Sequence, residues 1–156
     1  MRKMRMMVLA VALGALGSAA AAQNIVASDP QVLLAFFHDQ GIPAKLTQDD
    51  YGDPKIDLRY YGTSFSIYYY GCSGGENCRS IQFFSGYRTD GNISLEQINS
   101  WNTTERYARA YLSEAKNARI EYDVQLGKSG MTDEYFDSVF SLWTQSVENF
   151  EECIDW

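Results

Sequence analysis

The chain has 156 residues, 13 basic and 20 acidic, with one histidine and three cysteines. Its net charge of −7 repels phosphate backbones and anionic lipid headgroups, which argues against nucleic-acid and membrane-surface partners. A single histidine and scattered cysteines leave little material for a metal centre or a His-based catalytic triad.

The first 22 residues divide into three zones. Arg2, Lys3 and Arg5 are positive, Met6 to Leu16 is apolar, and Ser18 to Ala22 are all small. That order predicts a secretory signal peptide cut between Ala22 and Gln23, with a destination in the bacterial periplasm or medium. A membrane-spanning helix needs roughly 20 apolar residues, and the run is shorter than that. The expected mature chain, residues 23–156, suits one domain with one core. It carries ten basic residues against 20 acidic ones, a net of −10.

Asp29-Pro30 predicts a helix start, with the carboxylate as cap and proline in the first turn. Val32, Leu33, Phe36 and Phe37 recur at helical spacing up to Gly41, and His38 falls away from that stripe. From Ala44 the pattern becomes sheet-like, with a short strand near Ala44–Gln48. In Lys55–Tyr61, Ile56, Leu58 and Tyr60 alternate against Asp57, Arg59 and Tyr61. Thr63–Tyr70 and Arg79–Tyr87 flank a Gly-rich connection and predict an antiparallel hairpin. Cys72 and Cys78 sit within that connection. In an oxidising compartment they predict a disulfide at the hairpin tip, because a metal site would need two more close ligands and His38 is remote. Cys153 is then a leftover thiol, expected to be partly buried and free, with an intermolecular bridge as the alternative.

Ser94 caps a short helix with Gln97 at the reciprocal capping-box position, and Leu95, Ile98 and Trp101 give it an apolar side. Strands are expected at Arg106–Ser113 and Arg119–Leu126. In the second, Ile120, Tyr122, Val124 and Leu126 face inward, while Arg119, Glu121, Asp123 and Gln125 are expected to be solvated. Thr132 caps the last helix, whose stripe of Phe136, Val139, Phe140, Trp143, Val147, Phe150 and Ile154 must cover a sheet. The fold class is therefore α+β: a twisted antiparallel sheet of about five strands, packed by an N-terminal, a short middle and a long C-terminal helix.

Few patterns suggest chemistry. Gly71-Cys72-Ser73-Gly74-Gly75 matches GxSxG, but that chemistry needs a strand-to-helix turn and a positioned histidine, and here the turn joins two strands. Glu121 and Asp123 form a carboxylate pair on one strand face, a spacing seen in glycosidases and cation sites, and equally the ordinary solvated side of a strand. No catalytic, metal or cofactor-binding residues are assigned. Tyr68 and Tyr70 are expected on the face opposite Phe65, Ile67 and Tyr69, with Tyr61 beside them. Aromatic groups with polar tips suit a protein-binding surface, although cross-strand aromatic pairs also simply hold sheets together.

The stretch Trp101-Asn102-Thr103-Thr104-Glu105-Arg106-Tyr107 resembles the hallmark of the YbjN family of bacterial proteins: WN, three variable residues, then R and an aromatic. Ile81–Phe84, Ala118–Val124 and Gly130-Met131-Thr132 fit the same pattern. The resemblance spans most of residues 29–156. It implies the fold of type III secretion chaperones, a twisted sheet with helices packed on it, often as a homodimer. It brings no catalytic residues. Trp101 is expected to plug the core, Asn102 to end the helix in a left-handed turn, and Arg106 to pair with a carboxylate. The leading expectation is an exported, non-enzymatic module holding a protein or peptide. The alternatives are a small envelope hydrolase at Ser73 or at Glu121 and Asp123, a ligand-binding protein, and a structural or stress-related envelope protein.

Overall fold

The computed structural model describes residues 24–156; the expected signal segment and its cleavage point at Ala22 and Gln23 lie outside the described residues. Three helices, α1 (Pro30–Asp39), α2 (Leu95–Thr104) and α3 (Asp133–Ile154), accompany six strands. The strands are β1 (Ala44–Gln48), β2 (Pro54–Tyr60), β3 (Thr63–Tyr70), β4 (Ser80–Tyr87), β5 (Arg109–Leu112) and β6 (Ala118–Gln125). They form one antiparallel sheet in the order β1-β2-β3-β4-β6-β5. The strand expected near Ala44–Gln48 pairs along its whole length with β2 and brings the sheet to six strands, against the expected total of about five.

Each helix begins where a side chain satisfies an otherwise orphaned backbone N–H. Asp29 accepts from Gln31, Ser94 from Gln97 and Thr132 from Tyr135. The capping box expected for α2 is only half made, since the Gln97 side-chain amide donates instead to the carbonyl of Cys153. Leu95, expected inside, is exposed, and Ile98 and Trp101 alone carry the apolar side of α2.

All three helices lie on one face of the sheet. Phe36 and Phe37 of α1 meet Phe136 edge-on, and Phe37 also meets Phe140 of α3. Trp143 stacks on Phe83 at 5.4 Å and meets Phe65 edge-on at 5.7 Å. Trp101 packs on Phe150 at 5.1 Å, so it fills the core as the sequence suggested. The whole expected stripe of α3 is buried. Fully burying one such large side chain contributes about 1.5–3 kcal/mol, and that outweighs the modest intrinsic helix preference of this aromatic-rich segment.

A helix-borne side chain engages one residue on each sheet edge. His38 Nε2 lies 2.9 Å from the Ala44 carbonyl on β1, which fixes that nitrogen as the donor. Asn102 donates to the Ala110 carbonyl at 2.9 Å and accepts from its N–H at 2.8 Å, copying one step of strand pairing along β5. Asn102 therefore does not end α2, which continues to Thr104. Engaging Ala44 and Ala110 removes part of the template that each edge offers another strand.

Before α1, Ile25 exchanges two backbone hydrogen bonds with Met131, and Ile25 and Ala27 are buried. Gly130 makes this approach possible, because a Cβ there would collide with the Ile25 carbonyl.

Candidate functional site

Alternation along the strands divides the sheet into two unlike surfaces. Ile56, Leu58, Phe65, Ile67, Tyr69, Ile81, Phe83, Ile120 and Val124 face the helices and are buried. The opposite, open face carries Lys45 and Thr47 on β1, Lys55, Asp57 and Arg59 on β2, and Ser64, Ser66, Tyr68 and Tyr70 on β3. It continues through Gln82, Phe84 and Gly86 on β4, Arg119, Glu121 and Asp123 on β6, and Arg109 and Tyr111 on β5.

These polar groups bind one another across the strands. Asp57 accepts from Ser66 at 2.7 Å, Thr47 at 3.1 Å and the Lys55 ammonium at 2.9 Å. Burial works against both charges of that pair. The mutual ion pair and the hydroxyl donors outweigh it, so the Asp57 carboxyl lies below its ordinary range and the Lys55 ammonium above its own. At the other end Glu121 accepts from Arg109 Nη2 at 2.6 Å, Arg109 Nε at 3.1 Å and the Tyr111 hydroxyl at 2.6 Å. Burial, together with this bond to Glu121, pushes the Tyr111 phenol up to about 12. Between these two ends Gln82 donates to Asp123 at 2.8 Å and accepts from Tyr70 at 3.3 Å.

Glu121 thus departs from expectation: it is 7 % exposed rather than solvated. Arg109 and Tyr111 of the short edge strand reach over it, a cover that periodicity within β6 alone does not reveal. Both carboxylates of the Glu121 and Asp123 pair are already engaged by donors of the same sheet.

Tyr68 and Tyr70 occupy the open face as expected, Tyr68 half-buried against Phe84 at 5.7 Å and Tyr70 45 % exposed. Tyr61 does not join them. It is the first residue of the two-residue β2–β3 turn with φ +45°, followed by Gly62 at φ +96°. Such a tight hairpin requires positive φ at both positions, which takes Tyr61 out of the strand pleat. Its ring stands against Tyr60 at 4.4 Å, beside a cleft lined by Glu148 and Glu151 of α3. Arg106 also differs: it lies before β5, which starts at Arg109 rather than at 106, and its guanidinium sits 5.7 Å from the Tyr107 ring centre with no carboxylate in ion-pairing range among the described residues.

Cys72 and Cys78 are bonded across the β3–β4 tip, and Cys153 is a half-buried free thiol. Ser73 sits in that exposed tip, where its backbone pairs with Glu76, while His38 is occupied at the β1 edge. Among the described residues no helix is long and apolar enough to cross a membrane, and no group of three or more His, Cys, Asp or Glu side chains is arranged to hold a metal ion.

Sequence reasoning passed over Lys45, Arg59, Phe84 and Arg119. Lys45, Arg59 and Phe84, with Asp57, Ser64, Ser66 and Gly86, line a trough of about 460 Å³ on the open face, and Arg119 lies alongside over Gly86. The available signal was the alternation Ser80, Gln82, Phe84, Gly86 in β4, which becomes informative only once the register with β3 and β6 is known.

The family model of YbjN, described as "Putative bacterial sensory transduction regulator", matches residues 29–156. The chain belongs to the YbjN family. The crystal structure of YbjN from E. coli, titled "a putative transcription regulator", superposes with a TM-score of 0.56 at 15 % identity, over 83 % of this chain and 90 % of that one. At that identity the likeness is one of fold, and it agrees with the three helices and open antiparallel sheet of this YbjN-family chain. No protein of curated function matches the sequence. The Trp101, Asn102 and Arg106 motif has a clear architectural use here in its first two residues: Trp101 fills the core and Asn102 ties α2 to β5.

Proposed function

We propose that this protein is an exported, non-enzymatic regulatory or binding module that holds a polypeptide partner on its open sheet face. The observation that carries the reading is a six-stranded sheet with helices on one side only. Its other side presents aromatic groups, Tyr68, Tyr70 and Phe84, within a lattice of side chains already hydrogen-bonded to one another. Pre-bonded side chains lose little conformational freedom when a partner arrives, which favours recognition. In the same lattice Glu121 and Asp123 already accept hydrogen bonds from Arg109, Tyr111 and Gln82, which speaks against a free carboxylate pair for hydrolysis. Export to the periplasm or medium rests on the tripartite segment before Gln23 and agrees with a bonded Cys72–Cys78 pair.

The test uses the full chain expressed in a bacterial host and purified from the compartment it reaches. N-terminal sequencing beginning at Gln23 supports export, and an intact Met1 refutes it. A random peptide display library is then panned on the purified protein and on Tyr68→Ala/Tyr70→Ala protein. Peptides retained by the first and lost by the second support the reading. An empty selection, or one indifferent to both tyrosines, overturns it. Light scattering on the same sample checks the homodimer that the family resemblance implies.

A further inference from the structure

Charge on this molecule is sorted by face. No Lys or Arg occurs in α1, α2 or α3, which together carry eight carboxylates. The open face reverses the balance: five of the ten basic residues after position 22, Lys45, Lys55, Arg59, Arg109 and Arg119, stand there against only Asp57, Glu121 and Asp123. Lys55 and Arg109 are consumed by those acids. Lys45, Arg59 and Arg119 have no carboxylate in ion-pairing range among the described residues.

The three unpaired cations are also positioned. Arg59 Nε donates to the Gly62 carbonyl at 3.1 Å, which fixes the guanidinium while leaving its outer nitrogens unused. Arg119 lies with its guanidinium 5.5 Å from the Phe84 ring centre, in space that exists because residue 86 is glycine; a Cβ there would collide with it. Lys45 and Arg59 line the trough with Ser64, Ser66, Gly86 and Phe84, and the one carboxylate in its lining, Asp57, is already paired with Lys55. An acidic protein with a basic concavity steers anionic partners to that concavity and repels them elsewhere.

We infer that the open face takes an extended acidic segment of a partner protein, with carboxylates at Lys45, Arg59 and Arg119 and intervening apolar side chains against Phe84 and Tyr68. This rests on the binding-module reading and specifies its partner's chemistry. A densely charged polyanion fits less well, since Asp57 and Asp123 share the face and would oppose an unbroken row of negative groups.

The experiment measures fluorescence anisotropy of a labelled dodecapeptide alternating Glu with Leu, and of its Lys-for-Glu counterpart, on the purified exported protein and on Lys45→Glu/Arg59→Glu/Arg119→Glu protein. Expected is binding of the Glu peptide that weakens about tenfold or more both in the variant and between about 50 and about 500 mM salt, with the Lys peptide weaker throughout. Circular dichroism checks the fold of the variant, and Lys45→Gln/Arg59→Gln replaces it if it does not fold. Equal binding of both peptides, lost on Tyr68→Ala/Tyr70→Ala, would overturn the acidic assignment and leave the open-face reading standing. A heparin oligosaccharide bound more tightly through the same cations would overturn the peptide in favour of a polyanion. Association of copies that the charge reversal abolishes would overturn it in favour of this chain's own acidic helices. Binding of neither peptide, while library peptides are retained, would overturn it as well.

Discussion

The two faces of the sheet are built from the same strands, residue by residue in alternation, yet they solve different problems. Toward the helices, Phe65, Phe83, Phe140 and Trp143 interlock with ring centres 5.4 to 6.5 Å apart and exclude water. Away from them, order is kept by directional bonds among partly hydrated groups such as Asp57, Asp123 and Arg109 and the buried amide of Gln82. The helix side therefore holds most of the folding energy, while the open side holds a pattern at small net cost. The physical distinction is that burial energy scales with the apolar area removed from water, whereas exchanging water for a protein hydrogen bond gains little.

Trp143→Ala should break the helix side most severely. The ring is fully buried between Phe65 and Phe83, and its loss leaves a cavity costing about 3–5 kcal/mol, read as a lowered urea midpoint. Glu121→Gln on the open side should cost less, about 1–2 kcal/mol, because Arg109 is exposed enough to regain water once its partner's charge is gone. The same variant should lower the Tyr111 phenol from about 12 toward its ordinary value, as seen by ultraviolet titration; an unmoved phenol would mean that burial alone sets it.

Asp57→Asn sharpens the contrast through pH. The folded carboxyl titrates below its ordinary value of 3.8, so its stabilising contribution is complete above that value and disappears as pH falls through the lower, folded one. The variant should lose that part of the acid limb of stability against pH while leaving the neutral region shallow, and an unchanged acid limb would count against the Lys55–Asp57 pair. The smallest effect is expected at the trough itself: Lys45→Ala/Arg59→Ala should change stability by no more than about 0.5 kcal/mol, since neither side chain has a charged partner to lose. A larger loss by thermal unfolding would mark these cations as structural.

Much of the helix side was legible from periodicity. The stripe Phe136 to Ile154, the caps Asp29, Ser94 and Thr132 and the inward alternation of β6 follow from neighbours within one element, and the Cys72–Cys78 pair from its place in one short connection. The candidate site was legible only in part. Tyr68 and Tyr70 followed from alternation in β3, but Tyr61 was misplaced because the two-residue turn overrides the strand period at its last member. Glu121 looked solvated because its covers, Arg109 and Tyr111, belong to a different strand. Asn102 looked like a helix terminator because its partner, Ala110, lies across the α2–β5 connection.

By itself, then, the sequence determined an α+β chain of the YbjN pattern, an apolar face for each element and an excess of negative charge, since these depend on composition and on periods of two and 3.6 residues. Only the tertiary structure decided that all three helices share one side of the sheet, that His38 and Asn102 each engage one of its edge strands, and that Arg119 lies beside the trough lined by Lys45 and Arg59. Those outcomes depend on strand order and register. Lys45 and Arg119 come from β1 and β6, which stand at places one and five of the sheet, and only their pairing through β2, β3 and β4 brings them onto a single surface.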